Sequence, residues 1–207
     1  MDTSGPDGME AASENHTAAT HLVDTIREVM VAAAISDVDP DTMYRARHLV
    51  AEANDLLRTR VLAAPRRTPM NRATIARVRE GTPWQVFTHN PLGIPLIITI
   101  DGVRASAELP PCALLEGPPG LLHGGFSAAM LDAMLSTLVQ AQDIKAVTVR
   151  LDVQFHAAVP VSDPLTLDGA LTESTGRKLT AEGAIRRGDT LAVSARALFV
   201  TVSGEPD

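Results

Sequence analysis

One carboxylate stands alone in an apolar stretch. Between Gly124 and Gln142 the single ionisable side chain is Asp132, set among Phe126, Ala128, Ala129, Met130, Leu131, Ala133, Met134, Leu135, Leu138 and Val139. The spacing predicts a helix from Gly124 to Ala141, apolar on nearly all sides, and such a helix is a buried one. A buried carboxylate is paired, protonated or functional, because leaving it unpaired is costly. Burial is expected to raise its pKa, towards that of a useful general base. The plainer reading is an Asp that reaches a solvated groove at a seam between two copies.

The helix is entered through Gly117-Pro118-Pro119-Gly120-Leu121-Leu122-His123-Gly124-Gly125. Glycines let backbone approach a ligand closely. The first turn of a helix has unpaired N–H groups at the positive end of its dipole. Such groups can hold a carbonyl oxygen and the oxyanion that develops when that carbonyl is attacked. Asp132 lies seven residues after Gly125, two turns on and therefore on the same face. A glycine-rich helix entry without chemistry is the alternative. His-Gly-Gly alone is a weak signal; opening a buried helix with one Asp nine residues after the His, it is a more specific one.

The elements that must position these residues are legible on both sides. Leu96 to Ile100 reads as a strand, Asp101-Gly102 as a hairpin turn, and Val103, Ala105, Ala107 and Leu109 as the returning strand. Four alternating segments follow the helix. In the first, Val147, Val149, Leu151, Val153 and Phe155 form the apolar side expected to meet the helix, with Thr148 on the other side. The rest carry Leu165, Leu167 and Leu171; then Leu179, Ala181 and Ile185; then Leu191, Val193, Ala195, Ala197 and Phe199. Short turns at Gly176 and Gly188-Asp189 imply an antiparallel sheet, and one helix must bury against one of its faces. The expected fold class is α+β.

The N-terminal part is read differently. Residues 1–18 are rich in Ser, Gly, Asp and Thr and are expected to be disordered. Residues 19–69 are read as a helical extension and linker, and residues 70–207 as the domain that carries the site. Leu22, Val23, Ile26, Val29, Met30 and Ala33 have helical spacing. Asp39-Pro40 opens a second helix, expected to reach Leu62, along which Met43, Ala46, Val50, Ala53, Leu57 and Val61 form a stripe. The two helices are read as a possible antiparallel hairpin. Residues 70–95 show no regular pattern.

Composition excludes several classes. Hydrophobic residues are 45% but aromatics 3%, so the core must be aliphatic. A net charge of −7 argues against nucleic acid or an anionic membrane as main partner. The single Cys112 excludes an internal disulfide and reads as a small loop residue rather than a nucleophile. No secretory leader is evident in Met1–Ala12, and no apolar run approaches the roughly 18 residues that span a bilayer, so a cytoplasmic protein is expected. His16, His21, His48, His89 and His156 lack metal-ligand spacing, so no metal is expected.

Over residues 86–203 the sequence resembles the hot-dog thioesterases of the phenylacetate-pathway (PaaI-like) and thioesterase-superfamily types. The resemblance rests on Glu116 to Asp132, Val147-Thr148-Val149-Arg150-Leu151, Gly176-Arg177-Lys178 and Ala195 to Val200. It implies an antiparallel sheet wrapped around a central helix, in a homodimer or dimer of dimers with the site across the interface. It implies an acyl-CoA substrate and no cofactor beyond the CoA of that substrate. The Gly124 position would give its N–H to the thioester carbonyl. Asp132 would act as general base or nucleophile, with Thr148 placing the carboxylate or the water. His123 would shape the helix entry, with Gly125 beside it. Arg177 and Lys178 would lie near the CoA moiety. The family often has an amide side chain six positions before the His; here that position is Gly117, with Glu116 adjacent. Two other readings stay open. One is an acyl-thioester dehydratase using His123 with Asp132; the other is a non-catalytic acyl-CoA-binding module.

Overall fold

The computed structural model describes residues 6–68 and 70–202, with side chains from residue 14 onward. The chain divides into two compact units, residues 1–68 and 69–207.

The first unit holds helices α1 (Pro6–Ile35) and α2 (Pro40–Arg58). Residues 6–18, expected to be disordered, are helical; residues 1–5 lie outside the described residues. Pro6 occupies the first helical position, and Glu10, Ala11, Ala12, Glu14, Ala18 and Ala19 are good helix formers, which outweighs the polarity of this stretch. α2 opens as expected: the Asp39 carboxylate accepts the Thr42 N–H at 3.0 Å and the Thr42 hydroxyl at 2.7 Å. It ends at Arg58 rather than Leu62, because the Thr59 N–H and hydroxyl both turn back onto the Leu56 carbonyl, at 3.3 and 2.7 Å. α2 buries none of its residues, so the expected hairpin is not packed along its length.

The second unit is built on α4 (Gly124–Ala141), the helix expected over that range. Around it runs one sheet, β1 (Trp84–Gln85), β2 (Ile97–Asp101), β3 (Arg104–Leu109), β4 (Ala146–Phe155), β5 (Leu165–Thr175), β6 (Lys178–Arg187) and β7 (Thr190–Thr201). Their order is β1-β2-β3-β5-β6-β7-β4, with every pairing antiparallel. Helix α3 (Arg72–Arg79), in the stretch without a sequence pattern, is capped by Asn71 and turns Ile75 and Val78 inward. Arg79 gives its Nε–H to the Ala141 carbonyl at 2.7 Å, closing the C-terminus of α4.

Met130, Leu131, Met134, Leu135, Leu138 and Val139 of α4 are at most 1% exposed, against Ile98, Leu167, Ile185, Val193 and Phe199 from the sheet. Each such side chain contributes about 1.5–3 kcal/mol of burial. The helix can lie this close because Gly169 and Gly183 face each other across β5 and β6. A Cβ on Gly169 would come within 2.8 Å of Leu135 Cδ2, and one on Gly183 within 3.2 Å of Leu131 Cδ2.

α4 is not enclosed all round. Gly125, Ala129 and Gln140 are exposed, and Asp132, Ala133 and Ser136 are half-buried on the same side. The expectation of a fully buried carboxylate is corrected here: within one chain Asp132 sits on the open stripe of the helix.

Candidate active site

His123 caps α4. Its Nδ1 accepts the Gly125 N–H at 2.9 Å, and its own N–H goes to the Leu115 carbonyl at 2.8 Å. The ring stands edge-on to Phe126, with centroids 5.6 Å apart. The Phe126 and Ser127 N–H groups both bond the His123 carbonyl, at 3.0 and 3.2 Å. Among the described residues the Gly124 N–H meets no acceptor. It is a free donor at the positive end of the helix dipole.

The loop before the cap folds tightly on itself. The Gly117 N–H bonds the Leu121 carbonyl at 2.8 Å, and the Glu116 carboxylate accepts the Gly120 N–H. A Cβ on Gly117 would fall 2.9 Å from His123 Cα and Cδ2. Glycine at this position is therefore what lets His123 reach its capping position, and an amide side chain would not fit without moving it. Glu116 is used inside the loop and makes no contact with Asp132.

Thr148 departs from the sequence expectation. The pairing of β4 with β7 shifts between Thr148 and Arg150, so Val149 is an inserted bulge residue. The bulge reverses which residues face the helix. Leu151 and Val153 point inward beyond it, whereas before it Thr148 does, and Val147 and Val149 are 52% and 54% exposed. Thr148 is thus brought to α4, where its hydroxyl donates to Asp132 Oδ1 at 2.9 Å. Ser136 Oγ, one turn along the helix, lies 3.4 Å from the same hydroxyl. Ser136 was missed in the sequence, although its position four residues after Asp132 puts it on the same helix face.

Phe155, expected on the helix-facing apolar side of its strand, is instead turned outward beside Gly124. It is 60% exposed, and its ring would lie 3.0 Å from a Cβ at Gly124. Gly124, Ser127 and Phe155 line an open cavity of about 410 Å³ together with Leu122, Val159 and Val193. Arg177 and Lys178 are not gathered with these residues. Arg177 follows the β5–β6 turn and donates to the Thr201 carbonyl at 2.8 Å. Lys178 pairs with Val200, whose other neighbour is Val147, so it lies two strands away from β4. Among the described residues no cluster of three His, Cys, Asp or Glu side chains is arranged to hold a metal ion.

Comparisons with known proteins agree with this architecture. Residues 119–194 match the model of the thioesterase superfamily. The acyl-coenzyme A thioesterase THEM4 of Bos taurus is 33% identical over 93 residues, which are 44% of this chain and 38% of that protein. Acyl-coenzyme A thioesterase THEM5 of Homo sapiens is 35% identical over 69 residues, 33% of this chain and 28% of that one. The matched segments thus span well under half the length of these relatives. A crystal structure of a thioesterase superfamily protein superposes with a TM-score of 0.71 at 27% identity, covering 88% of this chain and 94% of that one. The site region, residues 119–194, accordingly carries the signature of the thioesterase superfamily on a hot-dog fold, an antiparallel sheet wrapped around one central helix.

Proposed function

We propose that the protein hydrolyses an acyl-CoA-type thioester at a site formed by two copies of the chain. The observation that carries this reading is a free N–H at Gly124 and a carboxylate held by Thr148 at Asp132 on one helix. Eight residues at 1.5 Å each separate them by about 12 Å along the axis. Both cannot act on one carbonyl within a single chain. Two α4 helices lying antiparallel about a two-fold axis would bring Gly124 of one copy to Asp132 of the other. The open stripe of α4 is suited to that approach, because Gly125, Ala129, Ala133 and Ser136 are small. Among the described residues β4 ends the sheet with its outer edge unpaired, ready to continue into a second copy.

In this arrangement the thioester carbonyl accepts the Gly124 N–H. Asp132 takes a proton from water as the water oxygen attacks the carbonyl carbon. The oxyanion is held by the same N–H and the start of the helix dipole. The C–S bond then breaks, and the proton held by Asp132 passes to the leaving thiolate. Direct attack by the carboxylate is the other route open to the same geometry. Thr148 fixes the carboxylate, and Ser136 lies against the Thr148 hydroxyl. His123 acts as a cap: its Nδ1 is occupied by the Gly125 N–H, which speaks against the dehydratase reading, where His123 would carry the proton.

The test is thiol release from a panel of short, medium, long and aryl acyl-CoAs. Release from at least one class is expected. Tight binding of the panel without release from any member would overturn the hydrolase in favour of a binding module.

A further inference from the structure

The polar end of the cavity beside Gly124 has two donors. Ser127 lies one turn into α4, 2% exposed, and its hydroxyl meets no partner among the described residues. A helical serine commonly bonds the carbonyl four residues back, as Thr137 does to Ala133 at 2.8 Å. The Ser127 hydroxyl makes no such bond to His123, and the residue lines the cavity instead. A hydroxyl on a cavity wall loses its hydrogen-bond partner when an apolar occupant displaces water, and keeps one when the occupant carries an acceptor. The remaining wall is apolar: Leu121, Leu122, Phe155, Val159 and Val193. His156, the other polar side chain on it, is engaged by the Ser194 hydroxyl at 2.8 Å.

Resting on the thioesterase reading, we propose that this cavity takes the acyl chain and that Ser127 selects acyl groups carrying an oxygen on the third carbon. The warrant is spacing. Gly124 and Ser127 are three residues apart, roughly 4.5 Å along the helix and on the same side. A thioester carbonyl at the Gly124 N–H therefore presents its third carbon to the Ser127 hydroxyl. A 3-hydroxy or 3-oxo group there satisfies the hydroxyl, whereas an unsubstituted chain leaves it buried and unpaired. The volume of about 410 Å³ falls in the range of small-molecule sites and leaves room for a medium aliphatic chain.

The experiment compares kcat/KM for 3-hydroxyacyl-CoA and straight-chain acyl-CoA of equal length, by thiol release, in the wild type and in Ser127→Ala. The wild type should prefer the 3-hydroxy substrate, and the ratio should fall about five- to tenfold in the variant, the scale of one lost hydrogen bond. Ser127→Thr, which keeps the hydroxyl, should retain the preference. A wild-type ratio at or below one, or an equal ratio in Ser127→Ala, overturns this inference while leaving the hydrolase standing. Thiol release from neither substrate overturns both.

Discussion

Replacing Thr148 with Val keeps the shape of the side chain and removes the hydroxyl that donates to Asp132 Oδ1 at 2.9 Å. A hydrogen bond to a charged group is worth about 1.5–3 kcal/mol. Asp132 is half-buried within one chain, and competing water discounts the bond towards the lower end. About 1.4 kcal/mol is a factor of ten in rate, so kcat should fall about tenfold. The loss should appear in kcat rather than KM, because the hydroxyl acts on the carboxylate and not on the substrate. Thr148→Ser should recover most of the rate, since it restores the donor. The assay is steady-state thiol release, with thermal melting to show that β4 and its bulge remain folded. A kcat within twofold of wild type in a stable Thr148→Val protein would refute the claim that Thr148 positions the carboxylate.

Three further outcomes follow from the same geometry. Gly124→Pro deletes the proposed oxyanion donor at a helix position that tolerates proline, and His123 before it is already extended, with ψ 128°. It should cost about 10²–10³ in kcat, with Gly124→Ala, which keeps the N–H, as the control for contact with Phe155. Mixing Asp132→Asn chains with Gly124→Pro chains should restore part of the activity that each lacks alone, since a mixed dimer contains one intact site; no recovery after co-refolding would argue for a site within one chain. Leu135→Ala, at the contact of α4 with Gly169, should destabilise the domain by about 2–5 kcal/mol in denaturant unfolding.

The sequence was most readable where one period persisted between clear punctuation. Gly124 to Ala141 is such a stretch, bounded by a capping His and free of Gly and Pro after Gly125, and it forms the helix expected. Asp101-Gly102 marks the β2–β3 turn in the same way, with Gly102 at φ 57°. β4 was read in the wrong phase. Val147, Val149, Leu151 and Val153 keep a period of two, but the bulge at Val149 shifts the backbone by one residue. Nothing in apolar alternation signals that shift, so Thr148 was counted on the far side from the carboxylate it bonds. α3 escaped because eight residues with three arginines leave only Ile75 and Val78 to mark a face. Residues 6–18 were misread because polar composition was weighed above their alanine and glutamate content. Within the site, Gly124, His123 and Asp132 could be found from residue type and spacing. The unpartnered Ser127 and the ring of Phe155 against Gly124 depend on packing that spacing does not encode.

The most direct test of the central claim is single-turnover thiol release by Asp132→Asn beside the wild type, on whichever acyl-CoA the wild type cleaves best. The substitution keeps side-chain size and removes the carboxylate that takes the proton from water. Loss of about 10²–10⁴ in rate, with acyl-CoA binding retained by calorimetry, is the predicted result; turnover at the wild-type rate would contradict the account.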